Sequence, residues 1–147
     1  MRLAFEEAEL AGAAGEVPVG AVLMSGGAVV ARGRNRMRQS GDPRRHAEIE
    51  CLDAAFAAGL RGPGALEGTT FYVTLEPCGQ CAGALVLARV PVVVFGAWDP
   101  KAGMAGTLHD LLRHPRLNHM AEVTGGVMEE ECGRLLIAFF EGVRGAS

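Results

Sequence analysis

The sequence predicts an α/β domain whose sheet is covered by helices on both faces. Three observations carry that expectation. Short apolar runs alternate with helical patterns along nearly the whole chain. Gly and Pro punctuate it at short intervals, as tight loops require. The chain has 147 residues, 49% of them apolar, which suits one core and one domain over 1–147.

Residues 2–12 place Leu3, Ala4, Ala8 and Ala11 at helical spacing. VPVGAVLM (17–24) reads as a buried strand, Ser25-Gly26-Gly27 as a hairpin signal, and AVVARGRN (28–35) as the returning strand. A polar loop runs through Gly41-Asp42-Pro43. HAEIECLDAAFAA (46–58) is a strong helix pattern stopped by Gly59. TFYVTL (70–75) is a strand, and Pro77 opens a helix over 78–89. PVVVFGA (91–97) is a further buried strand. A short helix is expected over 107–113, ended by Pro115, then a strand at 121–126 and a helix at 128–141. The first two strands should pair antiparallel and the later ones run parallel through helical crossovers.

Composition narrows the function classes. No run approaches the roughly 20 apolar residues that span a bilayer, and the acidic, amphipathic start does not resemble a secretory signal. A cytoplasmic protein is expected. The four cysteines (51, 78, 81, 132) are then more consistent with metal or core roles than with disulfides. Net charge is −3, so the whole chain does not advertise a phosphate-binding field. The charge is uneven, because Arg32, Arg34, Arg36, Arg38, Arg44 and Arg45 fall in one segment. That segment is either a basic contact surface or a solvated strand edge.

Two fragments carry chemistry: His46-Ala47-Glu48 and Pro77-Cys78-Gly79-Gln80-Cys81. Each opens an expected helix, where free N–H groups and the helix dipole favour thiolate over thiol. One imidazole and two thiolates make three ligands. A structural zinc site closes with four, whereas a catalytic one leaves a position for water. Zinc brings the pKa of water from 15.7 to roughly 7, and Glu48 is the carboxylate placed to move the proton. His46, Cys78 and Cys81 are therefore the expected metal ligands and Glu48 the expected catalytic group. This pairing is the known signature of zinc nucleobase deaminases. Cys51 and Cys132 fall in apolar helices and read as core.

At this point the chain resembles the bacterial tRNA-specific adenosine deaminases, within the cytidine-deaminase-like superfamily. The resemblance runs from about Glu16 to Phe140, through EVPVGAVL (16–23), GRNR (33–36), DPRRHAEI (42–49), FYVTLEPCGQCAGAL (71–85), VVFGAWDPKAGMAGTL (93–108), HPRLNH (114–119) and EECGRLLIAFF (130–140). It implies a three-layer α/β/α fold with a mixed five-stranded sheet, one zinc ion per subunit and a homodimer, for which the apolar helix at 78–89 is the candidate interface. It implies conversion of adenosine to inosine at the wobble position, with the tRNA anticodon stem-loop as partner. By position, Asn35 resembles the residue that hydrogen-bonds the target base, and Asp99, Lys101, Asn118 and His119 fall where the family contacts the anticodon loop. Trp98, Gln80 and the end without a basic tail depart from the family pattern. The N-terminal helix also looks about a turn short for the family, so the natural start is expected upstream of Met1. The alternative is a deaminase of a free nucleobase or nucleoside, of guanine, cytosine or cytidine type.

Overall fold

The register of the central strands sets the core. In the computed structural model, which describes residues 1–146, β1 (Gly20–Ser25) and β2 (Ala28–Arg34) form an antiparallel hairpin. It turns at Gly26 and Gly27, both at positive φ, where a side chain would strain the backbone. β1 pairs antiparallel on its other edge with β3 (Thr69–Leu75), and β3, β4 (Val92–Ala97) and β5 (Glu122–Thr124) run parallel. The mixed sheet has the order β2-β1-β3-β4-β5.

Alternate residues of a strand face opposite sides of the sheet. One side carries two rows across four strands, Ala31–Leu23–Phe71–Val93 and Gly33–Ala21–Val73–Phe95. Against these rows lie α3 (Ala47–Ala57) and α4 (Gly79–Leu87), which bury Cys51, Leu52, Ala55, Ala82 and Leu85 in one cluster. α1 (Arg2–Ala13) and α5 (Glu129–Gly145) cover the other face, α1 on β1 to β3 and α5 on β3 and β4. This is the three-layer arrangement expected from the sequence.

Small residues let helices come close. A Cβ on Gly33 would lie 2.3 Å from the backbone nitrogen of Cys51 in α3, and one on Gly20 would lie 2.2 Å from the carbonyl oxygen of Ala4 in α1. Neither contact leaves room for a methyl group.

The structure corrects several expectations. Residues 107–113 do not form a helix. Their backbone is spent elsewhere: Thr107 N–H donates to the Glu76 carboxylate, Leu108 N–H to the Gly103 carbonyl and Leu111 N–H to the Met104 carbonyl. A two-residue bridge joins Ala105 and Asp110. The β4 to β5 crossover is therefore a long loop rather than a helix. The polar loop after β2 contains one helical turn, α2 (Met37–Ser40). β1 begins at Gly20 rather than Val17, and β5 is only three residues long. Trp98 is 43% exposed and its ring meets Phe95 edge-on, with centroids 4.8 Å apart.

Five of the six arginines of the segment face acids on the protein itself, and Arg38 donates instead to the Gly15 carbonyl. Arg32 and Arg34 face Glu7, Arg36 faces Glu50, Arg44 faces Asp42, and Arg45 reaches Asp42, Glu50 and Asp53. The sequence left a contact surface and a solvated edge open. These pairs favour the second. No helix among the described residues is long and apolar enough to cross a membrane.

Candidate active site

Two helix starts meet where β3 and β4 end. β3 stops at Leu75, and Pro77 has no N–H with which to continue the ladder. Glu76 still bonds back to the sheet, donating its N–H to the Ala97 carbonyl at 2.8 Å. Cys78 then sits in extended conformation as the N-cap of α4, and its carbonyl accepts the N–H of Ala82. His46 has the same place on α3, extended at φ −74° and ψ 159°, with its carbonyl accepting from Glu50 N–H. α3 docks through its apolar face, so His46 and Glu48 arrive at the sheet end that carries Cys78 and Cys81. Gln80 ties the two starts together, its side-chain amide donating to the Arg44 carbonyl at 3.0 Å.

The imidazole presents Nδ1 to both sulfurs. It lies 3.5 Å from Cys78 Sγ and 3.4 Å from Cys81 Sγ, and the three atoms fall within 4.8 Å of one another. The chemistry of this donor set fits a soft divalent cation. Alone, the thiol pair accommodates one negative charge. Cys78, hydrogen-bonded by Cys81 and next to His46, is held down at about 4. The Cys81 thiol, beside that thiolate and buried, is pushed far above the usual thiol range. A cation among the three atoms removes that conflict and lets both sulfurs ionise. The described residues offer no fourth ligand in the cluster. One coordination position is left for a water, the pattern of a catalytic rather than a structural site.

Glu48 is only 4% exposed. Burial, reinforced by the nearby Cys78 charge, pushes its carboxyl up to about 7. A carboxyl in that range both takes and gives protons near neutral pH.

A cavity of about 170 Å³ opens over these groups. Val17, Val19 and Leu75 give it apolar walls, and Asn35, His46, Glu48, Cys78 and Asp99 supply polar atoms. Apolar walls with a few convergent polar groups are typical of a small-molecule pocket. Asn35 ends the hairpin, with its N–H on the Val19 carbonyl and its Oδ1 accepting from Met37 N–H. A larger hollow of about 530 Å³, lined by Phe56, Leu60, Leu87, Pro91 and His119 among others, contains none of the metal-ligating atoms.

The structure gathers His46, Cys78, Cys81, Glu48, Asn35 and Asp99. Lys101 is exposed on the adjoining loop, its N–H held by the Asp99 side chain. Asn118 and His119 are elsewhere in the chain. His119 Nε2 contacts the Val90 carbonyl at 2.7 Å, and Arg89 donates to the Asn118 carbonyl. Both contact residues just ahead of the N-terminal end of β4, while the cavity lies at its C-terminal end. One strand of this length separates them by roughly 20 Å. Sequence adjacency to other matching segments did not fix that distance.

Sequence reasoning missed Glu76, which lines the cavity and is almost wholly buried. Burial pushes its carboxyl up, but the Thr107 hydroxyl and the N–H groups of Asp99, Thr107 and Ala105 outweigh it and hold it below the ordinary glutamate value. No local signal marked it, because the groups that it binds lie more than 20 residues further along the chain.

Comparison with known proteins agrees with this geometry. Residues 1–97 match the family model for the cytidine and deoxycytidylate deaminase zinc-binding region. The tRNA-specific adenosine deaminase of Bacillus subtilis (strain 168) is 52% identical over 144 residues, covering 98% of this chain and 88% of the relative. A structure solved in work on A-to-I editing by tRNA:A34 deaminases at the wobble position superposes with a TM-score of 0.86 at 40% identity, covering 92% of this chain and 97% of that one. The guanine deaminase of Nitrosomonas europaea shares the fold, with a TM-score of 0.80 over 94% of this chain and 81% of its own, at 21% identity.

Proposed function

This chain belongs to the deaminase family defined by the cytidine and deoxycytidylate deaminase zinc-binding region, and from that premise we propose the reaction that follows. The protein is a zinc-dependent hydrolase that converts adenosine to inosine in tRNA, at the wobble position of the anticodon. One observation carries the choice of substrate over a free base. Identity to a tRNA-specific adenosine deaminase is 52% along nearly the full length of both chains, whereas the guanine deaminase likeness, at 21%, concerns the fold alone.

His46, Cys78 and Cys81 are the zinc ligands. A zinc ion bound by these three residues would supply the activation of water, bringing its pKa from 15.7 to roughly 7. Glu48 accepts a proton from the attacking water and delivers it to ring N1 of adenine. Oxygen bonds to C6, Glu48 carries a second proton to the exocyclic amine, and the C6–N bond breaks. Water is consumed, ammonia leaves, and C6 keeps the oxygen as inosine. Asn35 Nδ2 and the Asp99 carboxylate are the groups that hold the base, and Val17, Val19 and Leu75 exclude water around it. The adenosine enters splayed out of its loop, because the cavity holds a base and not a stacked strand. Lys101, exposed beside Asp99, meets the flanking phosphates.

The working unit is a homodimer. Leu87 on α4 is 85% exposed, and Leu117 and Met120 are exposed as well. Asn118 and His119 line a hollow with Leu87 and Leu117, and so belong to that face.

The direct check is stoichiometry on an anticodon stem-loop with A at the wobble position. Ammonia and inosine should form one for one. Glu48→Ala should keep one zinc per chain and lose about three orders of magnitude in turnover. Deamination by Glu48→Ala at the wild-type rate would contradict the assignment.

A further inference from the structure

We propose that Glu16 and Glu76 are positioning residues, two buried carboxylates that do no chemistry and hold the two walls of the substrate cavity. The inference rests on the reaction proposed above, because the walls act only through the base that enters between them.

Burying a carboxylate costs free energy unless its oxygens are hydrogen-bonded. Glu16 and Glu76 are 2% and 1% exposed. Both spend their oxygens on backbone N–H groups of loops far away in sequence. Glu76 Oε1 accepts from Asp99 N–H at 3.0 Å and from the Thr107 hydroxyl. Glu76 Oε2 accepts from the N–H groups of Ala105 and Thr107, each at 3.0 Å. The loop is wrapped tightly around this carboxylate, since a Cβ on Gly103 would lie 2.3 Å from it. Glu16 treats the other loop the same way. Its Oε2 accepts from Arg38 N–H at 3.0 Å and its Oε1 from Gln39 N–H at 2.7 Å.

The loops so held are the ones that face the substrate. The loop held by Glu16 carries Asn35 and Met37 and the loop held by Glu76 carries Asp99 and Ala102, all four in the cavity wall. Fixation runs on from Glu76 through Asp99, whose Oδ1 accepts from the N–H groups of Lys101 and Ala102. Neither loop has a long helix or a strand of its own, so beside its internal turn bonds each depends on N–H groups that end on a buried glutamate. A mere filler of space at these positions would be apolar. A carboxylate there fixes direction as well as volume. Glu48 is left as the carboxylate that moves protons.

The test uses zinc-loaded full-length protein with Glu76→Gln and Glu16→Gln, plus Thr107→Val as a milder change that removes one hydroxyl. An amide side chain replaces one acceptor oxygen by a donor that faces another N–H. Each glutamine variant should raise KM for the wobble-A stem-loop about tenfold, with kcat changed less than threefold and one zinc per chain retained. Thr107→Val should do the same more weakly. Amide exchange gives a readout independent of activity. Protection should fall at Asp99, Ala105 and Thr107 in Glu76→Gln, and at Arg38 and Gln39 in Glu16→Gln, each without the other. Unchanged KM, or a loss confined to kcat, would overturn the inference, as would exchange that rises evenly across the chain. A wild-type protein inert on the stem-loop would overturn the proposed reaction instead, and the exchange experiment would still decide this one.

Discussion

Cys81 is the more deeply buried of the two site cysteines, and its replacement by serine tests the metal site with little change of volume. Serine puts a hard oxygen where soft sulfur stands, so bound zinc after dialysis should fall well below one per chain while the far-ultraviolet circular dichroism is kept. Full zinc content in Cys81→Ser would argue against the ligand set. Asn35→Ala should leave zinc in place and weaken the stem-loop, at a cost of about 1–3 kcal/mol for a lost buried hydrogen-bond donor. Binding equal to the unsubstituted protein would remove Asn35 from the cavity's recognition groups. The sequence showed His46, Glu48, Cys78 and Cys81 because their chemistry sits in two short fragments with fixed spacing. Asn35 and Asp99 were legible only through family resemblance. Glu16 and Glu76 were not legible, because a glutamate beside a strand has no local signature and its partners are more than 20 residues away.

At the scale of elements, the site depends on how closely α3 approaches the hairpin. Gly33→Ala would set a methyl group against the α3 backbone, and α3 carries His46 and Glu48. Gly20→Ala would push instead on α1, on the opposite face. Both should lower stability in urea by about 1–3 kcal/mol, as overpacking does. Only Gly33→Ala should also weaken zinc binding. Equal zinc affinities in the two variants would show that the α3–β2 spacing does not position the ligands. Long elements with clear periodicity were legible: the hairpin, α3, β3, α4, β4 and α5. Elements whose backbone is fixed from a distance were not. Residues 107–113 space their leucines like a helix, yet their N–H groups go to Glu76 and to neighbouring loop carbonyls. α2 is a single turn tied by Glu16, so no local pattern announces it.

For the whole molecule, an acidic chain acting on RNA needs its few available cations in the right place. Five of the six arginines between 32 and 45 share four acids, Glu7, Asp42, Glu50 and Asp53, on the same surface, so few phosphates should be neutralised. Stem-loop affinity should fall with salt on a shallow slope of about one to three released counterions. A slope near that of a strongly basic RNA binder would mean that the ion pairs open on binding. The exposed α4 face makes a second prediction: Leu87→Asp should turn a dimer into a monomer by light scattering, with zinc retained. A monomeric unsubstituted protein would contradict the dimer.

The most direct test of the central claim is a side-by-side assay of the zinc-loaded protein. It compares a tRNA anticodon stem-loop carrying A at the wobble position with free adenosine, guanine, cytosine and cytidine. Inosine in the stem-loop, with the four small compounds unchanged, is the predicted result. Turnover of a free base or nucleoside beside an inert stem-loop would leave the zinc chemistry standing and contradict the tRNA substrate.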